Sequence, residues 1–135
     1  MKIKNGSQSL KKASNICYCK THMSVLLFKE RFVEELPEGQ GDLVVAIEAR
    51  LIGEKAPAEF PEGIKFRWIA YLDENPSMRV LMDCHSGKGP HIHVDDDPEG
   101  VPFVWTTLDD ALVLFGSEIQ KRFGVGIKAF KRGEK

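Results

Sequence analysis

Apolar and polar positions alternate with period two over most of this chain, then change near its end to spacings of three and four. Ile64, Phe66, Trp68, Ala70 and Leu72 give the cleanest alternation, with Lys65 and Arg67 on the opposite face. Such a pattern predicts a half-buried strand. Leu43, Val45, Ile47, Ala49 and Leu51 alternate in the same way. Ser24 to Leu36 predicts a strand before them, with Leu26, Phe28 and Phe32 as its apolar members. Pro37-Glu38-Gly39-Gln40-Gly41 supplies turn chemistry between these two, which therefore pair as a hairpin.

Asp73-Glu74-Asn75-Pro76 turns the chain again, and Met78, Val80, Met82 and Cys84 bring it back as a second hairpin. Val101, Phe103 and Trp105 predict a short last strand after the acidic turn Asp95 to Gly100. Leu108, Ala111, Leu112, Phe115, Ile119 and Phe123 then form one helical stripe. Thr106 or Thr107 caps that helix, Asp109 and Asp110 favour its dipole, and Gly124 stops it. The expected fold is α+β: an antiparallel sheet of about five strands with one C-terminal helix on a face.

A length of 135 residues suits one domain with a real core. Hydrophobic content of 42% and charged content of 29% are ordinary for a globular protein. No run approaches the roughly 18 apolar residues of a membrane span, and no signal-like apolar segment opens the chain, so a cytoplasmic protein is expected. Residues 1–23 read as a basic, disordered extension, with Met23 or an upstream codon as the functional start. Residues 24–124 form the domain, and 125–135 a basic tail.

Charge divides along the same lines. The extension carries +5, the tail +3, and the body from Ser24 to Gly124 has 10 basic and 19 acidic residues. So acidic a body does not suit duplex DNA. Cys17 and Cys19 lack the spacing of a structural zinc site and read, with Cys84, as free thiols. His22 carries no signal of its own, and Trp68 and Trp105 are expected in the core.

Chemistry concentrates in Asp83-Cys84-His85-Ser86-Gly87-Lys88-Gly89-Pro90-His91-Ile92-His93, which holds three of the four histidines. If the backbone at Ile92 is extended, His91 and His93 project to one side. Paired imidazoles divide general base and general acid work, or chelate a metal. Lys88 lies between Gly87 and Gly89, whose amides can approach an anion closely. Facing a phosphate, His91, His93 and Lys88, with Asp83 orienting one histidine, are one candidate for a metal-independent ribonuclease site. The same Gly-Lys-Gly-Pro is also ordinary tight-loop chemistry.

Three other His-x-His templates do not fit. The metallo-β-lactamase pattern needs a third histidine where Asp96 stands. Cupins need a glutamate and a distal histidine at other spacings. Two-histidine phosphoesterases need two motifs, and the chain has one.

Asp83, Gly87, Lys88, Gly89, His91 and His93, with Phe66-Arg67-Trp68 upstream, resemble the small bacterial TumE-like toxin family. The likeness runs from about Leu26 to Phe123. Cys84 stands where that pattern has asparagine, and His85 is additional to it. The resemblance implies a toxin paired with a helix-turn-helix antitoxin. The resemblance supplies no molecular target; the acid–base pair beside a mobile cation suggests RNA, with His91, His93, Lys88 and Asp83 as catalytic candidates and Gly87, Gly89 and Arg67 as substrate-binding candidates. No cofactor is expected. Two alternatives stay open: a divalent-metal site of His91, His93 and Asp95, and a non-catalytic interaction module that self-associates through a sheet edge.

Overall fold

A computed structural model describes residues 24–53, 59–85 and 88–127. The basic extension with Cys17, Cys19 and His22 lies outside them, as do Gly87 and the tail from residue 128.

Six strands run in sequence order across one antiparallel sheet: β1 (Val25–Glu35), β2 (Asp42–Leu51), β3 (Ile64–Leu72), β4 (Asn75–His85), β5 (Gly89–Val94) and β6 (Val101–Pro102). A single helix, α1 (Leu108–Phe123), follows. The α+β class holds, with a helix on one face of the sheet. The strand beyond the expected five is β5, formed by the histidine segment itself.

Alternation decides which face meets the helix. Val45, Ile47 and Ala49 of β2, Phe66, Trp68 and Ala70 of β3, and Val80, Met82 and Cys84 of β4 are all buried. Ala111, Leu112, Phe115 and Ile119 of α1 close over them. Trp68 sits at the centre, its ring 4.5 Å from Phe66 and 5.9 Å from Phe115. Thr107 Oγ1 accepts a hydrogen bond from the Asp110 amide at 3.0 Å, so of the two candidate caps it is Thr107 that opens the helix. Gly124 closes it with φ of +79°. Beyond the helix the chain stays on the body, because Ile127 is buried in the same core.

β6 is shorter than its alternation suggested. Pro102 has no N–H for the ladder and is tolerated at an edge. The Phe103 amide makes one bond to the Pro90 carbonyl at 3.2 Å, and the chain then leaves the sheet. Phe103 and Trp105 still face the core, with ring centroids 6.4 and 5.5 Å from Phe66. The Trp105 indole N–H donates to Glu62 at 2.8 Å.

No helix among the described residues is long and apolar enough to cross a membrane.

Candidate active site on the uncovered sheet face

The residues opposite the core face lie on the side of the sheet away from α1. Strand register joins them into rows that cross the sheet. One row runs Lys29, Glu48, Arg67, Asp83, His91, each directly opposite the next. The neighbouring row runs Arg31, Ala46, Ile69, Leu81, His93. Both histidines therefore stand at the β5 end of these rows, side by side.

The histidine segment is a hairpin rather than an open loop. Asp83 to His85 belong to β4 and Gly89 to His93 to β5, with residues 86–88 between them. Asp83 pairs with His91, and His85 with Gly89. The extended backbone places the His91 and His93 rings on one side, stacked with centroids 6.3 Å apart and planes inclined by 28°.

Each ring is anchored through Nδ1. His91 Nδ1 lies 3.0 Å from the Gly89 carbonyl oxygen, and His93 Nδ1 lies 3.0 Å from that of Asp97. A carbonyl can only accept, so each Nδ1 carries the proton and donates it. In a neutral ring Nε2 then carries the lone pair, the form needed for a base or a ligand. The His93 Nε2 lies 3.8 Å from Asp83 Oδ1, too long for a hydrogen bond but close enough for an ion pair when the ring is protonated.

The two rings differ in exposure. His91 is half-buried, whereas His93 is only 8% exposed. The acidic turn after β5 accounts for this. Gly100, with φ of +74°, brings its backbone so near that a Cβ would come within 2.7 to 2.9 Å of the His93 ring. Asp97 and Gly100 thus hold His93 from above, a contribution that alternation along the strands does not reveal.

Cys84 faces the other way. Its thiol is buried in the core and donates to the Ile64 carbonyl at 3.4 Å. Burial pushes its pKa up to about 11, which suits an inert thiol.

The remaining candidates spread along the face. Arg67 is exposed on β3, directly across from Asp83. Lys88 is exposed at the hairpin tip, three residues before His91. Gly89 has φ of +79° and supplies the carbonyl that anchors His91. Asp95 does not join the histidines. β5 ends at Val94, and Asp95 turns away with φ of +57°. Its carboxylate accepts from the Arg79 amide at 3.1 Å and from Arg122 Nε at 3.0 and 3.2 Å. Among the described residues, no group of three or more His, Cys, Asp or Glu is placed to hold a metal ion.

Comparison of the chain with family models, with curated proteins and with solved structures gives no match in any of the three.

Proposed function

We propose that this protein cleaves RNA by general acid–base catalysis at His91 and His93, as the toxin of a toxin–antitoxin pair whose antitoxin is a helix-turn-helix protein. The observation that supports the chemistry most is the paired anchoring of both Nδ1 atoms, which leaves an Nε2 on each ring, that of His93 lying 3.8 Å from the Asp83 carboxylate. The pairing with an antitoxin rests on the family resemblance alone, carried by the histidine segment and Phe66-Arg67-Trp68.

The step is an internal transesterification. His91, the more exposed ring, takes the proton of the 2′-hydroxyl through Nε2. The 2′-oxygen bonds to phosphorus, and the bond from phosphorus to the 5′-oxygen breaks. His93, protonated on Nε2 beside Asp83, gives its proton to that leaving oxygen. Arg67 and Lys88 supply positive charge toward the phosphate. Such acid–base pairs contribute about 10²- to 10⁴-fold each.

The test replaces both histidines with alanine, verifies the fold by circular dichroism, and measures growth arrest and RNA cleavage. Loss of both activities in a folded variant is expected. Undiminished toxicity would remove the histidines from the mechanism.

A second reading, an interaction module, draws on β1. This edge strand leaves Val25 56%, Leu26 47% and Val33 52% exposed, and an open edge of this kind invites strand pairing. Sedimentation of wild type against Val33→Lys distinguishes it: self-association abolished in the variant would favour the module.

A further inference from the structure

The acidic body hides a cationic track. Lys29 and Arg31 of β1, Arg50 of β2, and Lys65 and Arg67 of β3 all stand on the sheet face that α1 leaves uncovered. Of the acidic residues, Glu48 and Asp83 share the middle of this face, and Glu35 and Asp42 lie on it at the β1–β2 turn end. Many of the others lie in the turns and on the helix, as Asp96, Asp97, Glu99, Asp109 and Asp110 do. Net charge thus misdescribes the surface next to the histidines.

A groove lies on this face. It has a volume of about 410 Å³ and is lined by the cations Lys29, Arg31 and Arg67, the acids Glu30 and Glu48, and the apolar Ala46, Ile47 and Ile69. Glu48 is held by Arg50 at 2.9 Å. Lys29, Arg31 and Arg67 make no salt bridge among the described residues. Their charges are therefore available to a ligand. The groove has an apolar floor in Ala46 and Ile69, and Leu81 continues that floor on the row ending at His93.

Adjacent strands are about 4.8 Å apart, so Arg67 stands about 10 Å from His91 and Lys29 about 19 Å. Cations at one end, an apolar floor between, and two imidazoles at the other end suit a flexible polyanion with planar bases. We propose that the groove binds single-stranded RNA, whose backbone crosses the strands from the Lys29–Arg31 end to the His91–His93 pair. This inference rests on the RNA reading of the histidine site and names the form of substrate it takes. So small a groove does not suit a duplex, and proteins commonly hold single strands on cationic grooves with apolar contacts to the bases.

The test keeps binding apart from cleavage by using a fluorescein-labelled 2′-O-methyl oligouridylate of about eight nucleotides. That ligand has no 2′-hydroxyl to attack, so its anisotropy reports binding by the protein with both histidines intact. The Lys29→Ala/Arg31→Ala variant should bind at least fivefold more weakly. Its log–log salt slope should fall by about 1.4, at about 0.7 for each phosphate no longer neutralised. Arg67→Ala should weaken binding as well. Lys121→Ala, which removes one positive charge from the exposed side of α1 as Arg67→Ala removes one from the groove, should leave binding within twofold of wild type. Weakening below fivefold in the double variant, an equal weakening in Lys121→Ala, or no binding by wild type would each overturn the proposal. Cleavage of the ordinary oligonucleotide is scored separately. Groove-dependent binding without cleavage would defeat the catalytic reading and leave the groove, whereas cleavage with a dispensable groove would do the reverse.

Discussion

At Gly100 the backbone turns with a positive φ directly against the His93 ring. An added methyl group must displace the ring or the turn, and an L-residue resists that conformation as well. Gly100→Ala should lower stability by about 1–3 kcal/mol in urea unfolding. It should also shift the His93 ring resonances while leaving those of Trp68 in place. Unchanged His93 resonances would show that the turn does not hold the ring. Cys84 invites a different experiment. Its thiol ordinarily ionises near 9.0 and is pushed by burial to about 11. The folded state keeps the proton more tightly than the unfolded chain, so this thiol removes stability as pH rises from about 9 toward 11. Below that window it should resist iodoacetamide in the native protein and react on unfolding, as peptide mapping would reveal. At this scale the sequence was partly legible. His91, His93 and Asp83 are recognisable by residue type and spacing, and they do meet. Asp97 and Gly100 were not, because their effect depends on a turn folding back over a strand.

Among the elements, the link that ties the end of β5 to α1 runs through Asp95. Its carboxylate serves both the Arg79 amide and the Arg122 guanidinium. Arg122→Ala removes a partly exposed ion pair and should reduce stability by about 0.2–1 kcal/mol. Asp95→Ala also strips the Arg79 amide of its acceptor and places alanine at φ of +57°, so its cost should be larger, about 1–3 kcal/mol. Thermal melts of the two variants compare them, and equal destabilisation would contradict this division of roles. Periodicity and cap chemistry foretold the first four strands and α1 well, down to Gly124 and one of two threonines at the helix ends, of which the structure selects Thr107. It missed β5, whose glycines, proline and histidines carry turn and site chemistry instead of a strand's apolar alternation. It overextended β6, since Phe103 and Trp105 pack toward Phe66 without continuing the ladder. Asp95 appeared to continue the His91 and His93 series for the same reason: spacing presumes an extended chain, and the positive φ breaks it.

For the molecule as a whole, the sheet separates two tasks. One face and α1 bury Trp68, Phe66 and Phe115. The other face carries a polar row from Lys29 to His91 and beside it a row with an apolar middle from Arg31 to His93. Total charge gave no sign of that face, because it sums over turns and helix that point elsewhere. Lys29 and Arg31 were nonetheless readable in principle, since they alternate with Phe28 and Phe32. The central claim is that the histidine pair drives attack by the 2′-hydroxyl, and the chemistry of the cut end tests it most directly. Mass spectrometry of RNA cleaved by the purified protein, with chelator present, should find 2′,3′-cyclic phosphate and 5′-hydroxyl ends. Ends bearing 3′-hydroxyl and 5′-phosphate groups would contradict the account.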